Sequence, residues 1–156
     1  MPANDSTTPP TRGASAADRL DVAEVLSRYT YGWDTKDYKL VRSCFQPDAE
    51  IVYSSLPPFP GGFQAFFELE RATREQMAST QHFIGNLLVT IDGDTAHCTS
   101  YVQATHYVAE GHAWTTGGRY DDDLVRTPSG WKIARRTFER QWINETGDRA
   151  RKFLTN

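Results

Sequence analysis

Cysteine is scarce in this chain. Two residues, Cys44 and Cys98, among 156 can build neither a disulfide framework nor a thiolate metal cluster. An excess of positive charge is lacking too: 17 basic side chains stand against 20 acidic ones, for a net charge of -3 and a pI of 5.8. That leaves no basic footprint for nucleic acid. No run approaches the ~20 apolar residues that span a bilayer. The opening stretch, MPANDSTTPPTRGASAADRL, has no apolar core of the kind a secretory signal needs. These absences predict one soluble, reduced, cytoplasmic domain with no nucleic-acid, membrane or metal partner.

Large rings, by contrast, are plentiful. Eight Phe, seven Tyr and four Trp make up 12% of a length that suits a single domain. Residues 1–15 are rich in Pro, Ser and Thr and read as a disordered tail; the domain is expected over 16–144, and 145–156 as a polar tail. Asp18 is a plausible cap for a first helix whose apolar face carries Val22, Val25, Leu26, Tyr29 and Trp33. A short second helix is expected from Asp37 to Phe45, stopped by Pro47. A strand at 51–53, a Pro/Gly-rich loop around Phe59 and a third helix from Gln64 to Met77 follow. Four β-rich runs come next, at 80–91, 94–109, 112–126 and 130–142. Asp92-Gly93, Glu110-Gly111 and Pro128-Ser129-Gly130 supply their turns. Helices followed by consecutive strands are the α+β pattern, and a sheet curved round its own helices would enclose a pocket against the first helix.

Asp34 and His82 are the first candidates for chemistry. Asp34 ends the apolar helical face in Tyr-Gly-Trp-Asp. His82 lies on a strand, where alternation groups it with Ile84 and Leu88. A carboxylate holding one imidazole nitrogen favours the imidazolium formed when the other takes a proton, which makes a general base without a metal. Spacing leaves open whether the two meet, and a satisfied core histidine is the rival reading. His106 has the parity of Ala96, Cys98, Val102 and Ala104 and should face the same cavity, whereas His97 should not. Tyr53, a polar tip on a mainly apolar strand, could donate to a carbonyl oxygen that becomes negative during proton abstraction. Asp121-Asp122-Asp123 reads as a solvated strand edge, since alternate carboxylates cannot converge on a metal. By the same rule at most one of Arg135 and Arg136 points inward.

Five stretches carry a family resemblance: Tyr-Gly-Trp-Asp-Thr-Lys-Asp-Tyr, Phe-Gln-Pro-Asp-Ala-Glu-Ile-Val-Tyr, Thr-Gln-His-Phe-Ile-Gly-Asn, and Gly-Arg-Tyr-Asp-Asp with Gly-Trp-Lys-Ile-Ala-Arg-Arg. Over residues 17–142 the chain resembles the SnoaL-like branch of the nuclear transport factor 2-like superfamily, and within it scytalone dehydratases and hexachlorocyclohexane dehydrochlorinases. The resemblance implies a cystatin-like conical barrel: a curved antiparallel sheet wrapped around three helices, with a deep central cavity. It also implies catalytic roles for Asp34 and His82. Tyr53 falls at a carbonyl-polarising tyrosine, His106 at a second pocket histidine, and Trp33 where the dehydratase has a tyrosine. Tyr29 and Phe59 complete the expected substrate-binding set. The function implied is a cofactor-independent lyase of dehydratase type acting on a small, largely apolar cyclic or aromatic substrate. An isomerase or polyketide cyclase with the same base is the alternative, and a non-catalytic ligand-binding module the other. Kinship further implies a homotrimer or homodimer.

Overall fold

The computed structural model describes residues 15–54, 61–109 and 112–146. Residues 1–14 of the expected tail, the loop holding Phe59, the Glu110-Gly111 turn and the segment from residue 147 onward lie outside the described residues. The elements run α1 (Ala16–Asp34), α2 (Tyr38–Ser43), β1 (Phe45–Tyr53), α3 (Gly62–Glu75), β2 (Ser79–Asp92), β3 (Thr95–Ala109), β4 (His112–Thr127) and β5 (Gly130–Thr146). The strands form one curved sheet in the order β1-β5-β4-β3-β2, with antiparallel neighbours except for the parallel β1–β5 pair. This is the expected α+β architecture of three helices and a curved sheet. It departs from the conical barrel in one respect: β1 and β2 stay as two edges, so the sheet is not closed.

Several boundaries shift for local reasons. Ser15, not Asp18, caps α1; Asp18 is the third helical residue, and the two close a reciprocal capping box. Pro47 does not stop a helix but sits inside β1. Proline lacks the amide that a ladder needs, and the β1–β5 register skips between Phe45 and Glu50, on an edge strand that tolerates the loss. β5 continues to Thr146, beyond the expected 142, because β4 keeps pairing with it as far as Ala113↔Thr146. Gly61 enters α3 at φ 106, a conformation that only glycine adopts cheaply.

The core lies between the sheet and the helices. Val22, Leu26, Trp33, Val41 and Phe66 are fully buried, and Tyr29, Phe45 and Phe67 nearly so. At its centre is an ion pair. Asp122 of β4 faces Arg136 of β5 in register, and the guanidinium donates from Nε and Nη2 to the two carboxylate oxygens at 2.6 and 2.7 Å. Both residues are 0% exposed. The expectation of a solvated strand edge fails here because β4 is the middle strand. Alternation still holds, turning Asp121 and Asp123 outward and Asp122 in. Of the arginine pair, Arg136 is buried while Arg135 reaches Glu50 at the surface.

The capping box gives a first testable consequence. The Arg126 guanidinium, 2.8 Å from Asp18, and then the Ser15 hydroxyl hold the Asp18 carboxyl down to about 2. A carboxyl depressed in the folded state adds stability above its unfolded value of ~3.9, and that contribution fades as pH falls toward 2. Denaturant titrations between pH 5 and pH 2 should show Asp18→Asn flattening the acid loss of stability relative to the native chain. An unchanged slope would mean that the contact does not couple to folding.

Candidate active site

Asp34 is the last residue of α1, where a negative charge opposes the helix dipole. Three donors from β2 offset that cost. His82 Nδ1 lies 2.6 Å from Oδ1, the Thr80 hydroxyl donates to Oδ1 at 2.9 Å, and the His82 backbone amide donates to Oδ2 at 2.8 Å. An ionised carboxylate only accepts, so Nδ1 carries the proton and donates, leaving Nε2 as the basic nitrogen. Burial alone would raise the Asp34 carboxyl. The hydrogen bond and charge of His82, with its amide and Thr80, outweigh burial and hold it below the ordinary carboxylate range.

His82 opens onto a cavity of about 240 Å³ lined by residues of α3 and of all five strands, among them Tyr53, Arg74, His106, Trp114 and Tyr120. Its wall on the helical side is α3, not α1 as expected. The α1 face is packed solid: Tyr29 and Trp33 are 2% and 0% exposed, and neither lines the cavity. Phe59 lies outside the described residues. Alternation along β2 holds only to Ile84. A register shift between Gly85 and Leu88, with Asn86 at φ 53, turns Leu87 inward and leaves Leu88 72% exposed, so Leu88 does not share the His82 face.

His106 lies where strand parity predicts. Its ring meets that of His82 edge-on at 5.7 Å and stacks on Trp114 at 4.8 Å. Burial, then the nearby Arg74 charge and His82, press its pKa down to about 3, so the ring stays neutral. Tyr53 packs against Phe66 and Phe138, and burial pushes its phenol far up, keeping it a donor. Tyr120 borders the same cavity beside Tyr53, and the Arg136 guanidinium lies 4.0 Å from its ring.

Sequence reasoning missed the α3 wall. Phe63, Phe66, Phe67, Glu70 and Arg74 fall on one stripe of α3, and its last turns carry charge where an apolar stripe should continue. A charged pair at i,i+4 on a core face was the available signal. Among the described residues no group of three or more His, Cys, Asp or Glu side chains is placed to hold a metal. A larger groove of about 310 Å³, on the opposite face of the sheet, is bordered by Phe83, Tyr101, Gln103 and Trp142 and, among the described residues, by no carboxylate, imidazole or cation. No described helix is long and apolar enough to cross a membrane.

Comparison with known proteins fits this architecture. The SnoaL-like domain profile matches residues 14–137. Over 126 residues the chain is 32% identical to the uncharacterized protein Rv2910c of Mycobacterium tuberculosis (strain H37Rv), covering 79% of this chain and 85% of that one. A crystal structure from Novosphingobium aromaticivorans, of a protein assigned as an aromatic ring hydroxylase, superposes with a TM-score of 0.77 at 30% identity, covering 88% of this chain and 99% of that one. A second protein of that organism, assigned as a scytalone dehydratase, superposes with a TM-score of 0.76 at 20% identity, over 84% and 89% of the two chains. At that identity the likeness speaks for the fold.

Proposed function

The chain belongs to the SnoaL-like family, and we propose that it is a lyase of dehydratase type whose base is His82 braced by Asp34. The observation that carries this reading is the 2.6 Å contact between Nδ1 and the Asp34 carboxylate, on a ring that lines the cavity. Likeness in fold to a protein assigned as a scytalone dehydratase supports it.

Nε2 removes the proton next to a substrate carbonyl, and the electron pair moves onto the carbonyl oxygen. Asp34 stabilises the imidazolium that forms. As the enolate collapses, a new C=C bond forms and the β-oxygen leaves. The imidazolium gives that oxygen its proton, so water departs and the base is restored. Tyr53, kept protonated, can donate to the carbonyl oxygen as it gains charge. His106, kept neutral, orients the substrate and does not exchange protons. The cavity volume lies just below the usual ~300–1,000 Å³ of ligand pockets, and the aromatic lining favours a flat ring. The substrate class is a small cyclic β-hydroxy carbonyl compound.

The reading is tested by incubating the protein with a panel of cyclic β-hydroxy ketones and weighing the products. Loss of one water is the expected result. A product of unchanged mass would instead indicate isomerisation or ring closure by the same base. Binding without turnover across the panel would point to a ligand-binding module.

A further inference from the structure

We propose that Arg74 is the principal hydrogen-bond donor to anionic oxygen in the cavity, the group that holds the substrate oxygen on which negative charge develops. This rests on the proton-abstraction reading above and deepens it, since it assigns the oxyanion to a cation of α3 as well as to the Tyr53 phenol.

Arg74 is 6% exposed and lines the cavity together with His82 and His106. A guanidinium has five N–H donors and no acceptor. Glu70, one turn earlier, takes Nη2 at 2.9 Å. Among the described residues Nη1 finds only the Met77 sulfur, 3.8 Å away and a weak acceptor, and Nε has no partner. The guanidinium carbon lies 5.5 Å from the Trp33 ring, a contact that uses the face of the group and none of its N–H bonds. A buried cation with unfilled donors is costly unless something fills them. Bordering the chamber that holds the base, the natural occupant is an oxygen of the substrate.

The two charged pairs then divide the work. Asp34 and His82 handle the proton, while Arg74 receives the charge that its removal leaves behind. Because Glu70 already balances the resting cation, the pair adds no net charge to the chamber. The site therefore suits a neutral carbonyl that becomes an enolate better than a substrate already anionic at a distant position. Burial, and after it the Arg74 charge, opposes protonation of His106, so that ring stays neutral while the oxyanion forms.

A planar phenolate mimics the enolate, which gives a test that needs no knowledge of the natural substrate. 4-Nitrophenol is titrated into the protein below the phenol's own pKa, and the visible phenolate band is read alongside affinity. The native chain is expected to bind the probe ionised. Glu70→Gln/Arg74→Met, which removes both charges and leaves no orphan carboxylate, should lose the band and weaken binding about tenfold or more. The same variant should bind 4-nitrotoluene within a few-fold of the native chain, showing that the cavity is intact. Arg74→Lys should keep part of the ionised signal. His82→Gln should keep the band in full, because the anion is held by Arg74. A band that survives in the double variant, or that vanishes in His82→Gln, or that never forms in the native chain, overturns the proposal. Failure of the dyad reading is separate: it would show as hydroxy-ketone turnover indifferent to His82→Gln with the phenolate result unchanged.

Discussion

Asp34→Asn should lower kcat/KM on a dehydrated substrate by about 10²–10⁴-fold, the range that a positioned acid–base group contributes. The carboxylate of Asp34 accepts three hydrogen bonds from a single stretch of β2, at Thr80 and at the amide and ring of His82. An asparagine offers one acceptor oxygen in place of two and turns an NH2 group toward donors. One of the three must then go unmet, and no charge remains to favour the imidazolium. The loss should appear in kcat far more than in KM, since the change touches the transition state and not the apolar walls. His82→Gln, which removes the base itself, should cost at least as much. The acid limb adds a further check. Because the Asp34 carboxyl is held below the ordinary carboxylate range, it stays ionised in mild acid, and its protonation should cost activity only at lower pH. Parallel pH–rate profiles with turnover within a few-fold of the native chain would remove the dyad from the mechanism.

How much of this was legible in the residues follows from which rules were local. Period-two alternation along β3 put His106 on the inner face, and the helical stripe of α1 ended at Asp34. Both rest on unbroken geometry, and both residues stand where those periods lead. The same rule failed at Leu88, because the Asn86 bulge resets the phase of β2 and nothing in Gly-Asn-Leu-Leu announces on which side of it the parity changes. Asp122 was misread for another reason. Its pairing with Arg136 is a register fact about two strands, and a run of three carboxylates looks solvated until β4 is known to be central. Trp33 was expected in the pocket from the family resemblance, and Tyr29 stood with it in the expected substrate-binding set. The α1 face that carries both meets the core, and the chamber opens one layer away, under α3. Three of the positions that break local rules sit where the chemistry is proposed: an aspartate at a helix C-terminus, and Glu70 and Arg74 on an apolar stripe.

The largest expected effect on stability belongs to the buried pair. Asp122→Leu should reduce unfolding free energy by about 3–5 kcal/mol, because it leaves the Arg136 guanidinium at 0% exposure with no counter-charge. Against the ~5–15 kcal/mol typical of a domain, that is enough to threaten folding at room temperature. Arg136→Met should cost a similar amount by stranding the carboxylate, whose pKa burial already pushes upward against the pull of the guanidinium. The guanidinium also lies 4.1 Å from the Tyr29 ring and 4.0 Å from that of Tyr120, so its loss removes packing as well as charge. The double variant Asp122→Leu/Arg136→Met is the informative one. If the single variants fall because each strands a charge, removing both should restore most of the stability, and the cycle should show strong non-additivity. Tyr120 lines the cavity as well as this pair, so the double variant should also show what the pair does for the site. Full stability combined with reduced kcat would mean that the ion pair holds Tyr120 in place for catalysis, whereas full stability with native kcat would confine its role to the core. Singles and double all within about 1 kcal/mol of the native chain would contradict the burial argument itself.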